Sequence, residues 1–303
     1  MLLSATAHGK TLFFRNPSKP NIYAIDSASA VIGGPVSGKT SFLNAIVDSI
    51  LKRDGSVCKV DLNFSGGHSF NENEWGVVYR SSCRYAEPIP EHENLSGQCC
   101  VQFNVQDAFK DHQALLNNFG IDLSAHLSGS EKDLLDLFAS IRTSIAEMCG
   151  KPNLLIVLDN PDAGWHPVWQ RRLVQNLTSF LAECKVIYNI LNIQLVISTN
   201  SPLVIGDFPS EYLCKLTPKY WNGGDASSED APEDEGSFAT YLQHMYNVVM
   251  DTPTLGEFAT RTINTTIANL RAGNCSELDD YVISQVGDQV VYRELVRIKN
   301  GIK

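Results

Sequence analysis

The sequence lacks the features that would place it in several common classes of protein. Its eight cysteines are scattered, and no C-x-x-C pair or nearby histidine has the spacing of a metal site. We therefore expect reduced, mostly buried cysteines rather than a zinc site or a disulfide framework. No apolar run is long enough to cross a membrane, and the N-terminus does not resemble a signal peptide. These absences predict a cytoplasmic protein with no membrane segment.

Basic residues are also scarce. The chain has 24 Lys and Arg against 34 Asp and Glu, a formal net charge of −10. A protein that grips nucleic acid over its whole surface has the opposite balance, because neutralisation of phosphate dominates that affinity. Any contact with nucleic acid would have to come from a local patch, from oligomerisation or from a partner protein.

A glycine-rich loop between a predicted strand and a predicted helix is the strongest motif. The small apolar run at 28–32 predicts a strand, and 41–51 has apolar residues at helical spacing. The loop between them matches the phosphate-binding pattern G-x-x-x-x-G-K-[ST]. It comprises Gly33, Gly34, Pro35, Val36, Ser37, Gly38, Lys39 and Thr40, followed by Ser41.

Each part of this loop has a role in binding phosphate. Successive backbone N–H groups and the positive end of the helix dipole would converge on the phosphates, along a path that Gly33 and Gly38 allow. Lys39 would reach the β- and γ-phosphates, and Thr40 would offer its hydroxyl to Mg²⁺. The loop therefore predicts ATP and Mg²⁺ as cofactors.

An unbroken apolar run at 153–158 ends in the acid Asp159. This pattern is typical of a central parallel strand, which delivers its last side chain to the sheet edge where ligands bind. Asp159 is then placed to hold Mg²⁺, directly or through water. A second strand is predicted at 193–199, ending before Asn200.

A helix predicted over 129–148 begins with small hydroxyl residues and a glycine, Ser128, Gly129 and Ser130. These residue types expose backbone N–H groups to an anion. Ser128 also stands three residues before Glu131, as in a capping box, so the segment is equally an ordinary helix start.

The rest of the chain carries weaker signals. Two short N-terminal strands are predicted at 11–14 and 21–25, and a strand at 75–80. Residues 222–236 contain six acids and no base, which predicts a solvated insertion. Helices are predicted at 238–250, 256–270 and 290–299.

With its motifs in this order, the chain resembles the ABC-type ATPase heads of the RecF, SMC and OLD-like proteins. Within that family it is most similar to the ATPase subunits of bacterial anti-phage systems such as Septu and some retrons. The resemblance implies an α/β P-loop NTPase with a mixed sheet flanked by helices and a small helical C-terminal part. It implies an ATPase core over 1–220 with a divergent region at 52–126, an acidic loop at 221–236 and a helical part at 237–303 that packs on the core.

The resemblance also assigns roles to residues. Ser128–Ser130 correspond to the signature that contacts the γ-phosphate of a second protomer, and a glutamine sensor of Mg²⁺ and phosphate would be Gln98, Gln102 or Gln106. Family members usually have Glu after the strand's acid and His in the switch, where this chain has Asn160 and Asn200. Asp162 is the nearby carboxylate that could substitute, so Asn160, Asp162 and Asn200 are the catalytic candidates.

Two functions follow from these motifs and the resemblance. The first is an ATP-binding subunit that dimerises head-to-tail around ATP, hydrolyses it slowly and controls a separate effector, a nuclease or similar protein, in anti-phage defence. The second is a non-hydrolysing structural or regulatory scaffold of a nucleic-acid-processing complex. The partners expected are a second copy in a homodimer or larger ATPase assembly and a separate effector protein, with any nucleic acid contacted through the complex and no membrane contact.

Overall fold

Two β-sheets form the framework that places the glycine-rich loop and the acid. The computed structural model describes residues 1–7, 9–34, 37–51, 60–65, 74–81, 128–216 and 236–301. The strands are β1 (Leu2–Ala7), β2 (Lys10–Phe13), β3 (Ser27–Gly33), β4 (Asp61–Phe64), β5 (Trp75–Ser81), β6 (Asn153–Asp159), β7 (Asn192–Ser198) and β8 (Leu213–Leu216).

The larger sheet is wholly parallel, in the order β5-β6-β7-β3-β8. Every residue of β6 is buried, as its unbroken apolar run predicts for a strand covered on both faces. Because the strands are parallel, their carboxyl ends meet at one edge of the sheet. That edge carries Gly33, Ser81, Asp159 and Ser198.

The smaller sheet is antiparallel, in the order β2-β1-β4. Gln194 of β7 joins it to the parallel sheet. Its Oε1 accepts a hydrogen bond from the backbone N–H of Leu2 at 2.8 Å, and its Nε2 donates to the carbonyl of Leu2 at 2.7 Å and to Ser27 Oγ at 3.1 Å. The fully buried amide thus satisfies both backbone groups of a residue that begins β1.

Helices cover both faces of the parallel sheet. Those described are α1 (Lys39–Ile50), α2 (Gly129–Glu147), α3 (Pro167–Ile187), α4 (Pro202–Ile205), α5 (Leu242–His244), α6 (Glu257–Arg271), α7 (Glu277–Gln285) and α8 (Gln289–Lys299), with a 3₁₀ turn at Ser210–Tyr212 and a π turn at Met245–Val249. Helices α2 and α3 contribute to the core on one face, and α1 shares the other core with the antiparallel sheet. None of the helices in this part of the chain is long and apolar enough to cross a bilayer.

The structure divides into two compact units, Met1–Met250 and Asp251–Lys303. The second unit consists of α6, α7 and α8 around a small core of Leu270, Ile283 and Leu295. The expected functional boundaries at 220 and 237 stay a prediction.

The architecture confirms the predicted α/β class, with a parallel sheet flanked by helices. The strand predicted at 21–25 is wrong. The side chain of Asn21 accepts from the N–H of Tyr23 and donates to the carbonyls of Tyr23 and Ile25. These local bonds replace the pairing that a strand would need.

The helix predicted to begin at Phe238 begins later, at Leu242. Ala239 has a φ of 56°, in the left-handed region, and its N–H donates to the carbonyl of Gly206. Residues 238–241 therefore cannot form the first helical turn, whatever their apolar spacing.

The buried Gln194 gives a test of how the two sheets are joined. We expect Gln194→Leu to lower the free energy of unfolding by about 2–4 kcal/mol, because each backbone group left unsatisfied in the interior costs roughly 1–3 kcal/mol. Urea unfolding followed by tryptophan fluorescence measures this change. Gln175→Leu is the matched control, since Gln175 is exposed, and should change stability by less than about 0.5 kcal/mol. Equal stability of the two variants would contradict the role given to Gln194.

Candidate phosphate and magnesium site

The loop between β3 and α1 depends on two glycines for different reasons. A Cβ atom at Gly33 would lie 2.4 Å from the carbonyl oxygen of Leu216 and 2.6 Å from Ser37 Oγ, so no side chain fits there. Gly38 caps α1 with φ 83° and ψ 20°, a left-handed backbone that other residues adopt at a cost. The sequence pattern is therefore matched by a spatial need at Gly33 and a conformational need at Gly38.

The ammonium group of Lys39 lies inside this loop. Its Nζ donates to the carbonyl of Gly33 at 2.8 Å and to that of Gly34 at 3.3 Å. Only 9% of the residue is exposed. Burial lowers the pKa of this ammonium, and the nearby carboxylate of Asp159 acts in the opposite direction. The charge is thus held at the loop by neutral carbonyl oxygens.

Ser37, in the same loop, has a buried hydroxyl with no hydrogen-bond partner. Its residue is 1% exposed. A buried hydroxyl normally finds a partner, because leaving one unpaired costs free energy. This orphaned polar atom, one residue before the cap of α1, fits a loop whose donors serve a bound anion.

Asp159 gathers hydrogen-bond donors from around the sheet edge. Thr40 Oγ1, at the start of α1, donates to its Oδ2 at 2.7 Å, and Ser81 Oγ donates to the same oxygen at 3.2 Å. Ser198 Oγ donates to Oδ1, as does Asn160 Nδ2 at 3.3 Å. The carboxylate, wholly buried, and two hydroxyls thereby converge at Oδ2. Such oxygen groups are the ligands that Mg²⁺ prefers.

Sequence reasoning missed Ser81 and Ser198 as members of this site. Ser81 stands opposite Asp159 in the pairing of β5 with β6, and Ser198 stands opposite it in the pairing of β6 with β7. A signal was present, since Ser81 directly follows the strand predicted at 75–80 and Ser198 is the next-to-last residue of the strand predicted at 193–199. Using that signal needs the order of the strands in the sheet.

Asn160 lies beside the acid in a left-handed conformation, with φ 49°. Its backbone N–H donates to the carbonyl of Ser198 at 3.1 Å and to the Oγ of the same residue at 3.0 Å. Asparagine tolerates this backbone better than most residues with a side chain. The backbone at this position therefore favours Asn over a residue such as Glu.

Asp162 and Asn200 lie in different surroundings. Asp162 is 5% exposed, and its Oδ2 accepts a hydrogen bond from Thr199 Oγ1 at 2.9 Å. Burial raises the pKa of this carboxyl, while the Thr199 bond lowers it. Asn200 is exposed. The two polar candidates thus differ in access to solvent, with the carboxylate turned inward.

A second network of polar side chains supports the end of β7. Ser201 Oγ donates to Gln170 Oε1 at 2.8 Å, and Gln170 Nε2 donates to the carbonyl of Trp165 at 3.2 Å. These bonds join the end of β7 to the turn after Asp159 through α3. Sequence reasoning missed Gln170, which sits in an ordinary amphipathic helix.

The N-terminus of α2 has the capping box that the sequence predicts. The hydroxyl of Ser128 accepts from the N–H of Glu131 at 3.4 Å, and the N–H of Ser128 donates to Glu131 Oε2 at 2.6 Å. Ser130 Oγ donates to the carbonyl of Gly164 at 3.3 Å, and Ser128 and Gly129 are exposed.

Within the described part of one chain, no hydrogen bond joins the Ser128–Ser130 segment to Lys39 or Thr40. Pro35, Val36 and the sensor candidates Gln98, Gln102 and Gln106 lie outside the described residues.

Comparison with known proteins gives little to add to this geometry. No protein-family model matches the sequence, and no curated protein matches it. Among solved structures, the chain is similar to cbiO1 from Clostridium perfringens, described as part of the ABC transporter complex cbiONQ. The two are 15% identical, with a TM-score of 0.31, over 72% of this chain and 89% of that chain. A likeness at this score decides neither family nor function, so any functional conclusion rests on the site.

Proposed function

We propose that this chain binds ATP with Mg²⁺ at the edge formed by Gly33–Thr40, Ser81 and Asp159. The observation that carries the proposal is the 2.7 Å contact between the Thr40 hydroxyl and the Asp159 carboxylate, directly after Lys39. A hydroxyl and a buried carboxylate beside a lysine-bearing glycine loop match the chemistry of a nucleotide's phosphates and their metal ion. The unpaired hydroxyl of Ser37 and the close packing at Gly33, where no side chain fits, agree with the same interpretation.

Each group has a role in that complex. Lys39 would exchange its carbonyl partners for β- and γ-phosphate oxygens, which are stronger acceptors because they are charged. Backbone N–H groups around Gly38 would bind the phosphates at the start of α1. Thr40, Asp159 and Ser81 would hold Mg²⁺, directly or through water. When bound, the metal ion would supply positive charge that offsets the negative charge of the phosphates.

We further propose that ATP joins two copies head-to-tail, with the Ser128–Ser130 segment of one facing the phosphate loop of the other. The exposed start of α2 presents the backbone N–H groups of the first helical turn, and the hydroxyl of Ser130 connects it to the turn that follows Asp159. Within one chain this segment has no hydrogen bond to Lys39 or Thr40 among the described residues. In the dimer, the Ser128–Ser130 segment of one protomer would lie close to Lys39 and Thr40 of the other.

The dimer would act as a cytoplasmic, nucleotide-dependent switch for a separate effector protein in anti-phage defence. The role in defence is supported by the resemblance of two sequence segments to the ATPase subunits of such systems. These segments are the run from Asp159 to Gln170 and the Ser198–Pro202 segment. Contact with nucleic acid would occur through the assembled complex, since the chain itself carries a net charge of −10.

Hydrolysis by this site is expected to be slow. Asn160 lies next to Asp159 and offers an amide, which can hold a water by hydrogen bonds but cannot take its proton. Asn200 cannot carry the charge of a histidine. Asp162 can act as a base, but its side chain is buried against Thr199. ATP would therefore work mainly as a clamp between protomers.

The first prediction concerns nucleotide binding. Lys39→Ala removes a charged contact to phosphate, and its affinity for a fluorescent ATP analogue with Mg²⁺ should fall by about tenfold or more. Arg293→Ala removes one positive charge from an exposed position in the second unit and should bind normally. Fluorescence anisotropy measures both affinities. Wild-type affinity in Lys39→Ala would place the nucleotide elsewhere.

The second prediction concerns the dimer. Ser128→Arg should block ATP-dependent dimerisation by its bulk while the monomer still binds nucleotide. Ala146→Arg is the matched control, because Ala146 is exposed near the far end of the same helix, about 27 Å away at 1.5 Å per residue. Light scattering with a slowly hydrolysed ATP analogue measures the dimer fraction. Equal fractions for Ser128→Arg and wild type would count against this interface.

The third prediction concerns turnover. Asn160→Glu supplies a general base and should accelerate slow hydrolysis, since such a base is typically worth about 10²–10⁴-fold. Asn160→Gln controls for the strain of replacing asparagine at φ 49°, because it has the same length without the carboxylate. Phosphate release under saturating ATP is the measurement.

Asp162→Ala tests the competing assignment of the base. If wild-type turnover is fast and only Asp162→Ala abolishes it, Asp162 is the base and the proposal that ATP acts mainly as a clamp is wrong. If wild type binds ATP but neither wild type nor Asn160→Glu releases phosphate, the scaffold function is the better description.

A further inference from the structure

A cavity of about 390 Å³ lies on the outer face of the antiparallel sheet. Ser4 of β1 stands opposite Phe13 of β2 and Asn63 of β4, so the three side chains share that face. Ala5 and Leu12, fully buried, lie on the inner face. The cavity volume falls within the roughly 300–1,000 Å³ of small-molecule sites.

This cavity is separate from the phosphate loop. Tyr212, which lines it, precedes β8, whereas Leu216 at the other end of that strand stands opposite Gly33. Four residues of strand span about 13 Å at 3.3 Å per residue. The cavity therefore lies toward the opposite end of the strand and belongs to another part of the surface.

Several polar groups of the cavity wall have no protein partner. In the described residues, the side chains of Arg15, Asn63 and Ser4 form no hydrogen bond or ion pair, although all three line the cavity. The hydroxyl of Tyr212 is buried and has no hydrogen-bond partner. A buried phenol usually finds one, because the unpaired group costs free energy. The wall thus offers the guanidinium of Arg15, the amide of Asn63 and the hydroxyl of Ser4 to an external group.

The cavity wall contains one cation, Arg15, and one acid, Glu211. Glu211 is already paired with Lys19, whose Nζ lies 2.7 Å from Glu211 Oε2. Arg15 has no such counter-ion among the described residues, in a chain whose net charge is −10. An anionic group is the complement of this guanidinium, which binds carboxylates and phosphates in a bidentate geometry.

The remaining wall is apolar. Phe13 is 50% exposed, and Leu3 and Pro17 also line the cavity. An exposed ring beside an unpaired arginine suits a flat apolar body, because aromatic rings stack on such surfaces.

We propose that this cavity binds a small organic anion with a planar ring, its charge carried by a carboxylate or a phosphomonoester. Arg15 pairs with the anionic group and Phe13 packs against the ring. The site is independent of the proposed ATP site and would persist if that proposal failed.

The test uses three probes in titration calorimetry with the full chain: 2-naphthoate, AMP and the uncharged 2-naphthalenemethanol. We expect one of the anions to bind more tightly than about 1 mM and at least about tenfold more tightly than the uncharged probe. Arg15→Gln should weaken that anion about tenfold or more, and Arg15→Lys should retain part of the affinity. Binding of 2-naphthoate alone identifies a carboxylate site, and binding of AMP identifies a phosphomonoester site.

AMP could also enter the phosphate loop, so its titration is repeated in Lys39→Ala. Binding that survives Lys39→Ala and weakens in Arg15→Gln belongs to the cavity. Binding that does the reverse overturns the phosphomonoester site, and if neither anion binds up to about 5 mM, far above the affinity expected, the proposal is wrong.

Discussion

The structure depends most on one buried carboxylate. Asp159 ends the interior strand β6 with no exposure to solvent and accepts hydrogen bonds from Thr40, Ser81, Ser198 and Asn160. A carboxylate in the interior is tolerated only when its oxygens are well hydrogen-bonded. The requirement draws the start of α1 and the ends of β5 and β7 to the same point. The acid that would hold a metal ion is also the group that aligns the sheet edge.

The central part of this arrangement could be predicted from the sequence, because its signals are local. The glycine loop follows a strand and opens a helix, and an unbroken apolar run ends in an acid; both patterns need only neighbouring residues to be recognised. Ser81 and Ser198 could not be assigned in this way. Their role comes from which strands are adjacent, and a sheet order of β5-β6-β7-β3-β8 is not written in any one segment.

The wrong predictions of a strand at 21–25 and of a helix that begins at Phe238 also arise from contacts that a local pattern does not show. Residues 21–25 are rich in apolar side chains, but Asn21 competes for the backbone groups that a strand would use. At Ala239 a tertiary hydrogen bond to Gly206 holds a backbone angle that no helix contains. Strand β1 was not predicted, because its small and polar residues have little preference for extended structure; it is fastened by the distant Gln194. In each case a few specific hydrogen bonds outweigh the average preference of the segment.

The contacts of Lys39 determine how strongly an anion in the loop must attract its ammonium group in order to replace them. Its ammonium already has two carbonyl acceptors, at 2.8 and 3.3 Å. The net free energy that an incoming anion gains from Lys39 is therefore only the difference between its own attraction to the ammonium and that of the two carbonyl groups. Chloride or acetate, each with one charge and few contacts, would gain little from that exchange, while a polyphosphate bound as proposed would replace both acceptors and also engage the amides around Gly38. Such a loop would discriminate against small anions before any contact with a base or sugar is made.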